Sequence, residues 1–158
     1  MNPLIALAIS ASSLVGCFMF LSAGVPSLGL IAWVSLISAG AYFTAGGGIP
    51  GLVKPMASGT LGILLTAAIL YAVGRLGGGL APLVLLVALL AFLIVMASGI
   101  QFFSFVPAGF MAASAYVGAG AKIEVAVYVI LSWAAGLALA WAIDNLSKAM
   151  TVAAPLRQ

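Results

Sequence analysis

Seven of the 158 side chains are formally charged at neutral pH, five Lys or Arg and two Asp or Glu, and there is no histidine. A water-soluble domain of this length carries roughly 40 charged side chains, so this chain cannot wet a globular surface. Hydrophobic residues make up 66% of it and the mean hydropathy is +1.38. Soluble globular, disordered and nucleic-acid-binding classes are excluded on these grounds. The net charge of +3 is carried by cations that never cluster, so it bears on membrane topology and not on a polyanionic partner. Cys17 is the single cysteine, which excludes an intrachain disulfide and a cysteine-rich metal site. The expectation is an all-α integral membrane protein.

A spanning helix needs about 20 mostly apolar residues, because the hydrocarbon core is about 30 Å thick and a helix rises about 1.5 Å per residue. Charges and Gly/Pro clusters divide the chain into six such stretches, at 3–23, 28–45, 56–74, 80–99, 102–119 and 123–143. Only short loops remain, so residues 1–158 are read as a single transmembrane domain ending in a tail at about 150–158. Strict alternation of apolar and polar residues is missing from these stretches, which argues against a β-barrel. With six crossings and an internal N-terminus, Lys54, Lys148 and Arg157 lie inside and Arg75 and Lys122 outside, a modest positive-inside bias. A five-span arrangement with 102–119 re-entrant reaches the same bias when turned over. Six spans with both termini cytoplasmic is the expectation adopted. Leu14-Val15-Gly16-Cys17 has the small-residue pattern of a lipid-modified cysteine, but no Lys or Arg precedes it and the apolar run continues through Phe18-Met19-Phe20-Leu21. Cys17 is therefore read as a small buried apolar residue.

The segment Ala41-Tyr42-Phe43-Thr44-Ala45-Gly46 aligns with Ala115-Tyr116-Val117-Gly118-Ala119-Gly120, 74 positions on. The same offset carries the first span onto the fourth and the second onto the fifth; the third meets the sixth after a small deletion. The halves are about 1–75 and 76–149. Three crossings per half make the second half upside down relative to the first, an inverted-topology repeat, which places a solute path at the interface of the halves.

Every charge falls at a span end, so no proton relay of buried ionisable groups is indicated. Glu124, Asp144, Lys122 and Lys148 read as interfacial anchors. No catalytic constellation, metal cluster or cofactor motif is present; an enzyme is not expected. Gly99 to Phe110 is the most unusual run, packing Gln101, Phe102, Phe103, Ser104, Phe105, Pro107 and Phe110 together at the join of spans four and five. Pro107 either breaks or kinks a helix passing through it, with the phenylalanines as gates and Gln101 and Ser104 as solute partners, or simply opens a helix at its first turn. Gly46-Gly47-Gly48-Ile49-Pro50-Gly51 is the symmetry counterpart, either a pore-mouth loop of bare backbone or an interhelical turn, with Pro50 preventing helix continuation. Tyr42 and Tyr116 form a symmetric pair, as path residues or as interfacial belt anchors. Small residues at Ala8-Ser12-Gly16, Ser58-Gly62-Thr66 and Ser132-Gly136-Ala140 predict close helix packing and self-association.

At Ala41-Tyr42-Phe43, Gly47-Gly48 and Gly51-Leu52, and again at Ser104-Phe105-Val106-Pro107 and Phe110, the chain resembles bacterial inner-membrane proteins of the YcdZ type, a family defined as a domain of unknown function. The resemblance runs the whole length but departs after Val106-Pro107, where Ala108 stands for the family's glycine, and in a shorter, less basic tail. It implies six spans in the bacterial inner (plasma) membrane and marks Tyr42, Phe43, Gly47, Gly48, Ser104, Phe105, Val106 and Pro107 as matching positions. It implies no activity. The expected function is a channel or facilitator passing a small neutral or weakly acidic metabolite, since no charged ring is available to select ions. The alternative is a non-transporting structural or assembly subunit of a membrane complex. Tyr42, Phe43, Gly47, Gly48, Gln101, Ser104, Phe105, Pro107, Phe110 and Tyr116 are the candidate solute contacts, and the expected partners are the lipid bilayer, the solute and further copies of the chain.

Overall fold

The computed structural model describes residues 1–152, all-helical where regular; Arg157 and most of the tail expected at 150–158 lie outside the described residues. Six α-helices follow one another: α1 Pro3–Gly24, α2 Ala32–Thr44, α3 Gly48–Arg75, α4 Leu80–Ala97, α5 Val106–Gly118 and α6 Ile123–Val152. Single 3-10 turns at Pro26–Leu28 and Gln101–Phe103 precede α2 and α5. Among the described residues α1, α3, α4 and α6 are long and apolar enough to cross a membrane. Helices α2 and α5, at 13 residues each, are not; at about 1.5 Å per residue they reach about 20 Å. The outward surface is apolar, with Phe20 78% and Leu80 76% exposed.

Several expected boundaries move, each for a physical reason. The break near Gly46–Gly51 shrinks to a turn at 45–47, because α3 begins at Gly48. Pro50 is its third residue, where a missing N–H costs nothing, since the first four N–H groups of a helix have no partner within it. Lys54 therefore lies on α3 and not in a loop. Pro107 is the second residue of α5, so it opens that helix and does not kink a longer one; the break is the non-α backbone ahead of it, from Ser98 to Phe105. Helix α6 continues past position 143 and carries Asp144 and Lys148 one turn apart. On α1 the buried small residues are Ala6 and Ser10, whereas Ala8, Ser12 and Gly16 are exposed, as is Cys17. A helix apolar on every side marks no inward face, so its register could not be read from composition.

The two short helices match in detail at an offset of 74. Ile31 and Phe105 enter them with φ −94°, ψ 95° and φ −96°, ψ 75°; Ala45 and Ala119 leave them with φ −81°, ψ 2° and φ −80°, ψ 4°. Gly46 and Gly120 then take φ 92° and 100°, and Gly47 and Ala121 take 69° and 54°. The Gly47 N–H donates to the Tyr42 carbonyl at 3.1 Å as the Ala121 N–H does to that of Tyr116 at 3.2 Å. Each short helix packs chiefly on the long helix of the other half, α2 on α6 and α5 on α3. Glycine permits both approaches: a Cβ on Gly136 of α6 would run into the Ser35 carbonyl of α2, and one on Gly62 of α3 into the Gly109 carbonyl of α5. Where α3 and α6 meet, Trp133 lies over Gly59, fully buried, and donates its indole N–H to the Pro55 carbonyl at 3.0 Å.

The start of α1 and the end of α6 lie side by side, since Ser10 Oγ approaches Met150 Sδ at 3.4 Å. Tyr42, near the end of α2, meets Asp144 at the same end of the bundle. Lys54 and Lys148 therefore belong to that end, while Arg75, closing α3, lies at the other.

Candidate functional site

The polar cluster that the fold builds most completely stands where α2 turns into α3. Tyr42 is fully buried, and its hydroxyl donates to Asp144 Oδ2 of α6 at 2.8 Å. The same hydroxyl accepts the Gly48 N–H at 2.8 Å, so it satisfies one of the free donors at the start of α3. Asp144 Oδ2 also accepts from Lys148 Nζ at 2.7 Å. The ammonium side is 64% exposed and the carboxylate side 17%, so the ion pair itself contributes little; the buried phenol between its two half-buried partners contributes more. The turn must be glycine-rich here. At Gly47, with φ 69°, an added Cβ would lie 3.4 Å from Asp144 Oδ2, and one on Gly51 would lie 2.9 Å from the Tyr42 carbonyl. Phe43 sits edge-on to Tyr42, ring centroids 5.2 Å apart, and lines an outer groove of about 570 Å³ with Leu4, Leu7, Asp144 and Lys148.

This arrangement is a clasp. The Tyr42 hydroxyl both donates and accepts, and the cluster ties the α2–α3 turn to the end of α6. Tyr42→Phe removes two hydrogen bonds, one of them to a carboxylate, and is expected to lower the unfolding free energy by about 2 kcal/mol. Tyr116, equally buried, has no such bond among the described residues. Thermal unfolding in detergent should therefore show a much smaller effect for Tyr116→Phe; equal effects would dismiss the clasp.

The other expected contacts are spread out. Gln101, Ser104, Pro107 and Phe110 are exposed, Phe102 faces outward beside Ile49, Pro50 and Lys54, and Phe105 is half-buried against the core around α2, α3, α5 and α6. Phe110 lines a lateral apolar groove of about 330 Å³ between α3, α4 and α5 with Thr66, Leu90 and Ser114. Gly47, Gly48, Phe43 and Tyr42 do come together; Gln101 to Phe110 do not join them. Sequence reasoning left Asp144 as an anchor only, because its partner lies 102 positions away. It read Ser58 and Ser132 only as members of packing stripes and passed over Ser35, although these serines stand at the starts of the short helices; the repeat offset, which carries Ser58 onto Ser132, was the signal available.

Residues 8–152 match the model of a family described as protein of unknown function, DUF1097. No curated protein and no solved structure matches the chain.

Proposed function

The chain belongs to the DUF1097 family, and we propose that it is a passive membrane facilitator for a small neutral or weakly acidic solute. The observation that carries this reading is the pair of half-length helices. Helices α2 and α5 begin well along their long neighbours, with Ile31 beside Ser132 of α6 and Gly109 beside Ser58 of α3, after backbone that is not α-helical. In a bilayer, non-helical backbone at that depth is tolerated only inside protein or along a water-filled path. Discontinuous helices in transport folds bring bare helix ends to the solute.

In this reading all six elements cross the membrane, the short ones completed by their 3-10 turns, and the halves are inverted repeats. The matched caps and turns support the repeat, and the shared end of α1 and α6 supports an even number of crossings. The likeness to YcdZ-type proteins supports a bacterial inner membrane with both ends cytoplasmic. The exposed Ala8-Ser12-Gly16 stripe suits close packing of a second copy. One observation favours a second reading, a non-transporting assembly subunit: the crossing of α3 and α6 is filled by Trp133 against Gly59.

Reconstitution into liposomes separates them. Osmotic swelling with neutral and weakly acidic solutes is expected to exceed that of empty liposomes, and to change in Phe105→Ala. Folded protein that adds no flux for any solute would move the assignment to the subunit reading.

A further inference from the structure

Helix α3 carries two buried hydroxyls with no hydrogen-bond partner among the described residues, Ser58 Oγ and Thr60 Oγ1. Ser58 is only 4% exposed. Both stand where α3 runs beside the entry to α5. Thr60 shares a groove of about 540 Å³ with Ala57 and Phe103, and the Ser58 carbonyl lies 3.5 Å from where a Cβ on Gly109 would stand. An unpaired hydroxyl in apolar surroundings is costly, and most buried polar groups avoid it.

The other half of the bundle has the same register and resolves it differently. Ser132 of α6 stands 74 positions after Ser58. Its hydroxyl accepts the Ile31 N–H at 2.8 Å, capping the start of α2, and donates to the Tyr128 carbonyl. Ser35 of α2 then closes over it, donating to the Ser132 carbonyl at 2.8 Å. At the entry to α5 the equivalents of Ile31 and Ser35 are Phe105 and Gly109. Glycine brings no hydroxyl to the Ser58 carbonyl, and since Ser58 Oγ has no partner, it does not receive the Phe105 N–H. One half-helix start is sealed by protein; at the other, the Ser58 hydroxyl and the Phe105 and Val106 N–H groups have no hydrogen-bond partner among the described residues. The 74-position register sets Ser58 opposite Phe105 as Ser132 stands opposite Ile31. A helix N-terminus offers donors with partial positive charge, and a serine hydroxyl both donates and accepts.

We propose that the start of α5 is a solute-contact site, in which Ser58 and the free N–H groups of Phe105 and Val106 hold a small uncharged molecule through a carbonyl or hydroxyl oxygen. The partial charge of a helix end suits a neutral oxygen, which sheds its water at far lower cost than an ion. This rests on the facilitator reading and gives it a place and a ligand class: small amides and polyols.

Two measurements test it, using acetamide and glycerol as probes. In liposomes, Ser58→Ala is expected to lower the flux of these solutes by about fivefold, the loss of roughly one hydrogen bond. Its melting temperature should not fall, because the hydroxyl has no protein partner to lose. In a Cys17→Ser background, the thiol introduced by Ser58→Cys is expected to react with a small water-soluble methanethiosulfonate, more slowly in concentrated acetamide. Wild-type flux that Ser58→Ala leaves unchanged overturns the site and leaves the facilitator standing. An unreactive thiol in folded protein overturns the site whatever the flux. Wild-type protein that passes no solute overturns the facilitator reading, and with it the site as a step in transport.

Discussion

Gly136→Ala is expected to lower the unfolding free energy by about 3 kcal/mol, because its Cβ would make the closest backbone clash of any glycine in the chain. The new Cβ would overlap the Ser35 carbonyl and Ser38 Oγ, and the obstacle at Ser35 is backbone, which cannot rotate away. Helices α2 and α6 must separate. With them go the bonds that cross this contact, Ser35 Oγ to the Ser132 carbonyl and the Ile31 N–H to Ser132 Oγ, both 2.8 Å. Overpacking a close contact costs about 1–3 kcal/mol, and each strained hydrogen bond about 1 kcal/mol more. Gly40→Ala on α2 is the control. Nothing lies within 4 Å of its Cβ, so relief of glycine's backbone entropy should leave it neutral or more stable by roughly 0.5–1 kcal/mol. Unfolding of both variants in mixed micelles measures the contrast. If Gly136→Ala is as harmless as Gly40→Ala, the close α2–α6 approach is wrong.

Trp133→Ala should come next, at about 3 kcal/mol. Lipid tails are as apolar as the protein interior, so moving the indole away from water contributes little here. The cost is instead the cavity left between α3 and α6, together with the bond to the Pro55 carbonyl. Trp133→Phe separates the two parts: it fills most of the space and should lose only about 1 kcal/mol with the indole N–H. A loss below about 1 kcal/mol for the alanine variant would mean that α3 and α6 do not meet through this side chain. The same variant bears on function. If it raises liposome flux, the filled crossing obstructs a path; if flux is unaltered while stability falls, Trp133 is packing alone.

How much of this could be read in advance depends on how local each feature is. Helices α1 and α4 were bounded almost to the residue, 3–23 against Pro3–Gly24 and 80–99 against Leu80–Ala97. Both are uninterrupted apolar runs between turn-forming residues. Helices α2 and α5 were placed too early, at 28 and 102, because hydropathy does not distinguish an apolar extended segment from an apolar helix. Backbone at 29–31 departs from the helix, and Ser132, a hundred positions away, supplies the acceptor for the Ile31 N–H. Helix α3 was cut short because the Gly46–Gly51 run with Pro50 read as a break and Lys54 as a charge between spans. Gly51 is kept by the Tyr42 carbonyl pressed against it, and the Pro55 carbonyl accepts the Trp133 indole. Tyr42 was identified as notable, but its partner was not, since nothing within one helix turn of Asp144 points to α2.

Scarcity of charge by itself determined that this chain is a bundle of apolar helices: seven ionised groups cannot support a water-facing surface, and uninterrupted apolar runs satisfy their backbone groups only as helices. The offset of 74 positions was legible as well, because it is a relation within the sequence. Tertiary structure decided which small residues face inward, since a helix apolar on all sides carries no mark of its buried stripe. It also decided that Ser132 is sealed and Ser58 is not. Both are serines in similar apolar surroundings, and part of the difference lies across the contact, where the Ile31 N–H opening α2 donates to Ser132 Oγ while the Phe105 N–H opening α5 does not reach Ser58 Oγ. Whether a buried hydroxyl is satisfied depends on two segments brought face to face, and only the folded chain sets that apposition.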